Sequence, residues 1–198
     1  MSTDPALRNK LLLKLPDAER NALMPHLEHL ALEKDHRIAS IDAHIDHVYF
    51  LDGGIGSVVS VSPEGQRAEA GMFGLEGFAP VPPAVLSRLS LHEVVIQSPG
   101  SGRRIPVTAL WALMETCPTL VRLMTRASHN LATQVSYTAL SNAVHQVDER
   151  LARWLLMAHD RVDTNELTIT HEYISLMLAV RRPSVTTALH ILEGNHLI

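Results

Sequence analysis

The side chains best suited to chemistry stand close together near the C-terminal end of the sequence. Arg181 and Arg182 are followed by Pro183 and by the small hydroxyl side chains of Ser184 and Thr187. An arginine guanidinium can donate paired hydrogen bonds to a guanine edge, and serine or threonine can contact a base edge or a phosphate. These residue types therefore predict contacts with double-stranded DNA. The candidate DNA-binding residues are Arg181, Arg182, Pro183, Ser184, Thr186, Thr187 and His190.

Two short helices joined by a tight corner are predicted to carry these side chains. Ile174, Met177 and Leu178 recur at steps of three and one, which gives the first helix an apolar face. Proline suits the first position of a helix and disfavours helix in the residue before it, so the second helix is predicted to begin at Pro183. It continues to about Glu193. A short helix, a tight corner and a second helix with an exposed polar start is an arrangement that enters the major groove of DNA.

Two stretches of this region resemble the Crp/Fnr family of bacterial transcription regulators. Residues 166–198 are similar to the family's helix-turn-helix, and residues 147–161, VDERLARWLLMAHDR, are similar to the helix that leads into its DNA-binding domain. The resemblance implies a homodimer that binds double-stranded DNA and responds to a small-molecule effector. RNA polymerase is a further partner that the resemblance implies.

The second helix departs from the family pattern at two positions. Arg182 matches the arginine that precedes the first turn in the family, whereas Pro183 replaces a glutamate that is common in cAMP-responsive members. Thr187 replaces a further arginine, so the resemblance implies a different operator sequence. The chain ends at Leu197-Ile198, where family members continue into a β-hairpin wing, and we expect that wing to be missing from this sequence.

The first half of the chain shows the pattern of an antiparallel β-structure. Residues 5–30 are predicted to form two helices separated by Pro16, the second running from Asp17 to about His29. Seven short strands are then predicted at 30–33, 37–41, 47–51, 55–61, 67–73, 92–97 and 103–106, with a turn at residues 52–54. Regularly spaced short strands indicate a barrel or a double-sheet jelly roll. The predicted fold is therefore α+β, with an N-terminal β-roll sensor domain, a long dimerisation helix and a C-terminal helix-turn-helix domain.

The glycine- and proline-rich residues 71–83 correspond to the effector-binding region of the family. In cAMP-binding members this region carries a Gly-Glu turn and then Arg-Ser-Ala, which hold the cyclic phosphate, but here the turn is Gly74-Leu75-Glu76-Gly77 and Ser90-Leu91-His92 replaces the second motif. A buried phosphate needs a paired cation, so the expected effector is not cAMP, although Arg88 is an alternative phosphate partner. The candidate effector residues are Gly74, Glu76, Arg88, Ser90, Leu131 and Thr138.

A long helix is predicted from Pro118 to about Gln146. Two stripes run along it at alternating steps of three and four residues, and this heptad spacing indicates two buried faces. We expect one face to pack on the β-roll and the other on a second copy of the chain. The candidate dimerisation residues are Val121, Met124, Ser128, Leu131, Val135 and Thr138. The other stripe consists of Leu120, Leu123, Ala127, Asn130, Gln134 and Tyr137.

Composition places limits on the remaining function classes. The net charge is −4, so any DNA affinity depends on local arginines and helix amides rather than on bulk charge. The start, Met1-Ser2-Thr3-Asp4, is not that of a secretory signal, and no stretch approaches the roughly 20 apolar residues of a membrane span. Cys117 is the only cysteine, which argues against a disulfide framework and an iron–sulfur cluster within one chain. We expect a cytoplasmic protein with no membrane association and no cofactor.

An alternative keeps the β-barrel but drops DNA binding. Twelve histidines, including the pair His44 and His47, leave open a small-molecule or metal-binding sensor or enzyme with a helical assembly tail. No Ser-His-Asp elbow or Walker loop is present, and we expect neither a metal site nor an enzyme. The predicted domains are residues 1–117 for the sensor, 118–146 for the long helix and 147–198 for the DNA-binding domain.

Overall fold

The computed structural model describes residues 6–198 of the chain. Five strands are formed by Glu28–Leu32 (β1), Arg37–Ala39 (β2), His47–Val61 (β3), Arg67–Phe73 (β4) and Glu93–Pro106 (β5). Six α-helices are formed by Asp17–Leu23 (α1), Val107–Met114 (α2), Pro118–Val144 (α3), Val147–His159 (α4), His171–Leu178 (α5) and Arg182–Gly194 (α6). Short 3₁₀ turns occur at Leu12–Lys14, Met24–His26 and Pro82–Val85. No helix within residues 6–198 is both long enough and apolar enough to cross a bilayer.

The strands form an antiparallel roll built around β3 and β5. The sheet order is β1-β5-β3-β4, and β2 pairs with the other end of β5 from β1. β3 and β5 pair along nearly their whole length, with register shifts near Gly53 and Ile55 that bend both strands. The predicted α+β fold with a jelly-roll sensor and a C-terminal helix-turn-helix is confirmed.

The predicted turn at residues 52–54 is wrong, because β3 runs through it without reversing. The Asp52 carboxylate is buried and accepts hydrogen bonds from the amides of Arg8 and Asn9, at 2.7 and 3.0 Å. Its other oxygen lies 3.1 Å from Nε of the buried Arg103. These contacts hold the two glycines that follow as a bulge. The two strands predicted at 47–51 and 55–61 are therefore one bent strand.

The predicted N-terminal helices are also largely replaced by other structure. Of the first helix only a 3₁₀ turn forms, because the Asn9 side chain accepts hydrogen bonds from the amides of Leu11 and Leu12. The second helix ends at Leu23, and β1 begins five residues later at Glu28. Leu11, Leu12 and Leu15 of this segment are buried in the core. The prediction that the start of the chain is not a secretory signal concerns Met1 to Asp4, which lie outside the described residues.

The long helix is confirmed as α3, but part of the stripe assigned to dimerisation packs within the chain. Met124 is fully buried in the core beneath α2, and Leu131 packs against the sheet. Gln134 of the other stripe also docks on the sheet, because its side-chain amide bonds both the N–H and the C=O of Met72, at 2.7 and 3.1 Å. Residues of both stripes therefore pack on the β-roll, which corrects the assignment of Met124 and Leu131 to a partner chain. The assignment of Val121, Ser128, Val135 and Thr138 to dimerisation stays a prediction.

The C-terminal helices share a hydrophobic cluster with the β-roll. Leu151 and Trp154 of α4 and Met177 of α5 are buried together with Ile55 and Met72 of the strands. The helix-turn-helix therefore rests directly on the sensor. The division at residues 117 and 146 stays a prediction.

Candidate nucleic-acid interface

The first helix of the pair, α5, ends in a well-defined corner. The Thr170 hydroxyl caps its start by accepting the N–H of Tyr173, at 3.2 Å. Ala179 adopts a left-handed conformation with φ of 50° and ends the helix, and its N–H turns back to Leu176. Residues 179–181 make the turn, and α6 begins at Arg182, one residue before the predicted start at Pro183.

The second helix, α6, has one buried face and one free edge. Val185, Ala188 and Leu192 are buried against α4 and α5. The exposed residues at and near its start are Arg181, Arg182, Pro183, Thr187 and His190. The structure thus brings these five of the predicted DNA-binding residues together on one accessible edge.

Two of the predicted DNA-binding residues are less accessible. Ser184 and Thr186 are half-buried. The Thr186 hydroxyl lies 3.2 Å from Nδ1 of His171 at the start of α5 and also donates to the Arg182 carbonyl, at 3.4 Å. Thr186 therefore links the two helices rather than lying free on the edge.

Helix α4 fixes the position of the helix pair through two arginines that the sequence reading did not single out. The Arg150 guanidinium donates to the carbonyl of Leu178, the last residue of α5, and so satisfies an acceptor that the helix end leaves open. Arg153 donates instead to the Thr138 hydroxyl and the Gln134 carbonyl of α3, at 3.1 and 3.3 Å. Their spacing of three residues on a helix places both on one side of α4.

A buried polar group, which we call the junction cluster, connects the sensor to α4. Its members are Ser57 of β3, Glu69 of β4, Gln97 of β5 and Trp154 of α4. The Trp154 indole N–H donates to one Glu69 oxygen at 2.9 Å, and the Ser57 hydroxyl donates to the other at 2.7 Å. Burial raises the pKa of Glu69 to about 7, although the two hydrogen bonds and the charges of Arg161 and Arg153 act in the opposite direction.

Further contacts surround this cluster and join the sensor to helices α4–α6, which we call the head. Arg161, just after α4, pairs with Glu76 at 2.7 Å and lies directly over Gly74, where an added Cβ would meet its side chain at 3.1 Å. Arg8 pairs with Asp163 at 2.7 Å on the surface. The helix-turn-helix is therefore held against the β-roll by buried and exposed polar contacts as well as by apolar packing.

Comparison with known proteins identifies this architecture. Residues 149–198 match the family model of the Crp-like helix-turn-helix domain. The chain has the Crp/Fnr fold. The c-di-GMP responsive global regulator CLP of Xanthomonas campestris matches with a TM-score of 0.73 at 14% identity, covering 92% of this chain and 94% of that one. Comparison with curated protein sequences gives no significant match.

Two further solved structures agree with this assignment. A putative Crp/Fnr regulator of Eubacterium rectale matches with a TM-score of 0.71 at 18% identity, covering 94% of this chain and 87% of that one. FixK2 of Bradyrhizobium japonicum matches with a TM-score of 0.70 at 17% identity, covering 86% of each chain. The predicted Crp-like helix-turn-helix is confirmed by the family model, and the predicted Crp/Fnr fold is confirmed by these structures.

The predicted effector residues do not converge in this Crp/Fnr fold. Gly74 and Glu76 contact Arg161, as described above. Arg88 instead donates to the Ile45 carbonyl, at 3.4 Å, and its guanidinium lies 5.9 Å from the centre of the Trp111 ring.

The other three predicted effector residues lie elsewhere. The buried Ser90 donates to the His92 carbonyl at 2.7 Å, and Leu131 packs on the sheet. Thr138 binds Arg153 and lines a cavity of about 20 Å³ together with Glu69, Arg150 and Trp154, among others. That volume suits about one water molecule. Within residues 6–198 no three His, Cys, Asp or Glu side chains are grouped closely enough to hold a metal ion.

Proposed function

We propose that the protein is a homodimeric regulator that reads an operator with the exposed edge of α6. The observation that carries this proposal is the division of α6 into a face buried on α4 and α5 and an edge that presents Arg181, Arg182, Thr187 and His190 to solvent. A helix anchored in this way can enter a major groove without unfolding. A DNA-binding role also implies a cytoplasmic location and RNA polymerase as a partner of the bound complex.

Each side chain on this edge has a chemistry that suits a different contact. Arg182, in the first turn of α6, is proposed to read a guanine, and Arg181, on the corner, to bind a phosphate. Thr187 and His190 lie one and two turns further along and are proposed to contact base edges. Thr186 is proposed to hold the angle between α5 and α6 through His171 rather than to contact DNA.

We expect Arg182→Ala to weaken specific operator binding by about tenfold or more, since a bidentate arginine–guanine contact contributes roughly 1–3 kcal/mol of discrimination. The measurement is a fluorescence-anisotropy titration against an operator selected from random sequences by the wild-type protein. Arg37→Ala is the matched control, because it removes an equal charge from an exposed arginine in the sensor. Equal losses in both variants, or no loss in Arg182→Ala, would exclude the proposed role.

A second copy of the chain is proposed to pack on the free side of α3. Tyr137, Leu140 and Val144 are 60%, 53% and 60% exposed and recur at steps of three and four residues. Such a stripe at heptad spacing is the usual seam between two helices. The interface is therefore proposed to lie on the side of α3 that faces away from the β-roll.

We expect Leu140→Glu to raise the dimer dissociation constant by at least about tenfold, because it places a charge in a seam that must be desolvated. Sedimentation velocity over a concentration series measures this. Leu13→Glu introduces the same charge at a leucine of similar exposure in the N-terminal turn, away from α3, and is expected to leave dimerisation unchanged. A monomeric wild-type protein at every concentration tested would rule out the proposed dimer.

The effector is proposed not to be cAMP. Arg88, the one alternative phosphate partner, is turned toward Ile45 and Trp111, and the Gly74 turn is covered by Arg161. A ligand at that turn must displace an arginine of the head that is already paired with Glu76. The similar regulator CLP is described as c-di-GMP responsive, which makes that dinucleotide the first compound to test here.

A further inference from the structure

We propose that Glu69 is a proton-binding effector site, at which uptake of a proton holds the DNA-binding head on the sensor and release of the proton frees it. The proposal concerns the regulation of the function proposed above, but its first test requires no DNA. It rests on the place of Glu69, on the donors around it and on the proton count of its neighbours.

Glu69 occupies the contact between sensor and head rather than the interior of either. Its side chain projects from β4 and meets Trp154 of α4, and the residue is 5% exposed. A rigid-body separation of the head from the β-roll would break this hydrogen bond and admit water to the carboxyl group. The ionised form is the one that gains most from that hydration, because a carboxylate is far more costly to bury than a neutral acid.

The groups bonded to Glu69 are neutral. Its oxygens receive the Trp154 indole N–H and the Ser57 hydroxyl, and within residues 6–198 it forms no ion pair. Buried carboxylates are normally paired with a cation or hydrogen-bonded by several donors. Two neutral donors leave the ionised form of Glu69 poorly compensated in the docked arrangement.

The neighbouring oxygens also favour an additional proton. The Ser57 hydroxyl lies 2.7 Å from Glu69 Oε2 and 2.8 Å from Gln97 Oε1, but it has only one hydrogen to donate. With Glu69 protonated, its O–H donates to Ser57 and the Ser57 O–H donates to Gln97, so all three oxygens are satisfied. With Glu69 ionised, Ser57 must donate to the carboxylate, and Gln97 must turn its amide over to supply a donor. With Gln97 in this orientation, a protonated Glu69 satisfies the three oxygens without any side chain turning over.

Charged groups face Glu69 from the head, but each has another partner. Arg150 and Arg153 of α4 donate to the carbonyls of Leu178 and Gln134, and Arg161 pairs with Glu76. Tyr173 of α5 is also near, and burial raises the pKa of its hydroxyl, so it stays neutral. From β3, β5 and α3 the facing side chains are the uncharged Ser57, Gln97 and Thr138. Arg161 and Arg153 lower the pKa of Glu69 without cancelling the effect of burial.

The direction of the effect follows from linkage. The pKa of Glu69 is about 7 in the docked arrangement, against an ordinary value of 4.5 for an exposed glutamate. The docked form therefore binds the proton more tightly, and docking weakens roughly tenfold per pH unit as the pH rises from about 4.5 to about 7, then levels off. Between about pH 5.5 and about pH 8.5 the equilibrium constant for docking of the head on the sensor is expected to fall roughly thirtyfold.

Hydrogen–deuterium exchange of the full-length protein tests this at both pH values, since amides of α4 and α5 report opening even when the open form is rare. Glu69→Gln keeps the shape and cannot ionise, and comparing the two proteins at one pH cancels the chemical effect of pH on exchange. We expect the exchange rate of the wild type, divided by that of Glu69→Gln at the same pH, to rise roughly thirtyfold between about pH 5.5 and about pH 8.5. Amides of α2 serve as an internal reference and are expected to match throughout.

Two further variants keep the test decisive. Glu115→Gln makes the same substitution at an exposed glutamate at the end of α2, away from the junction, and is expected to follow the wild type. Ser57→Ala leaves Glu69 in place but removes a hydrogen bond to its carboxyl group, so the pH of the transition is expected to shift. A wild-type protein whose ratio to Glu69→Gln does not change with pH, or a Ser57→Ala variant with an unmoved transition, would overturn the proton site.

A DNA titration then tests the coupling to function. Wild-type affinity for a selected operator is expected to change by at least about fivefold relative to Glu69→Gln between the two pH values. An unchanged ratio would overturn the regulatory part of the proposal. If no operator is bound by either protein at any pH, the DNA-binding proposal fails, and the exchange data still decide the proton site.

Discussion

Trp154→Ala will lower the free energy of unfolding by about 3–5 kcal/mol, the usual cost of truncating a buried aromatic side chain. Trp154 is 3% exposed and packs with residues of both the β-roll and the helix-turn-helix. Its removal opens a cavity and also leaves one oxygen of the buried Glu69 without a donor. Urea denaturation followed by circular dichroism measures this loss. Circular dichroism is used because the substitution removes a tryptophan and would change a fluorescence signal.

Two companion variants separate the contributions to this loss. Leu156→Ala truncates a residue of the same helix that is 64% exposed, and we expect a change within about 0.5 kcal/mol. Trp154→Phe keeps most of the apolar area but removes the N–H, so we expect a smaller loss of about 1–3 kcal/mol and a further rise in the pKa of Glu69. Similar losses for Trp154→Ala and Leu156→Ala would mean that the head is not packed on the sensor in solution.

The elements that carry the candidate DNA contacts could be predicted because their signals are local. Ile174, Met177 and Leu178 fix the buried face of α5 by spacing alone, and Pro183 marks the start of α6 to within one residue. A helix boundary set by a proline and a face set by neighbours one turn apart need no knowledge of the rest of the fold.

The junction cluster could not be predicted, because its members are far apart in the sequence. Ser57 and Gln97 are 40 residues apart, and Glu69 and Trp154 are 85 residues apart. In the sequence Glu69 alternates with apolar residues along a strand, and nothing there shows whether that face meets water or α4. A signal was available only in Trp154, whose indole N–H needs an acceptor when it is buried.

The bend in β3 and the free face of α3 were misjudged for related reasons. Asp-Gly-Gly is typical of a hairpin, but here the Asp52 carboxylate is used by Arg8, Asn9 and Arg103, all distant in sequence. On α3 the heptad stripes predict burial without specifying the partner, and the sheet of the same chain covers only part of each stripe. The exposed Tyr137 and Leu140 point away from that sheet, which only the fold could show.

Gly100→Ala will destabilise the β-roll by about 3 kcal/mol or more, at the upper end of the cost of overpacking, because the clash is with backbone. A Cβ on Gly100 would lie 2.3 Å from the carbonyl oxygen of Gly53 and 2.6 Å from the amide nitrogen of Gly54. No rotamer change can relieve contacts with main-chain atoms, so β5 must move away from the bulge in β3. In a chain of this length that loss corresponds to a fall in Tm of about 6–12 °C.

Gly53→Ala is the matched control, since it adds the same methyl group on the other side of the same contact. A Cβ there would meet no atom within 4 Å, so we expect a change within about 0.5 kcal/mol or a small gain from a less flexible unfolded chain. Differential scanning calorimetry of both variants measures the difference. Equal Tm values for the two would show that β3 and β5 do not cross as closely at the bulge as the structure describes. A large difference between the two Tm values would show that the stability of the sensor depends on the bulge and on the bend that it produces in the β-roll.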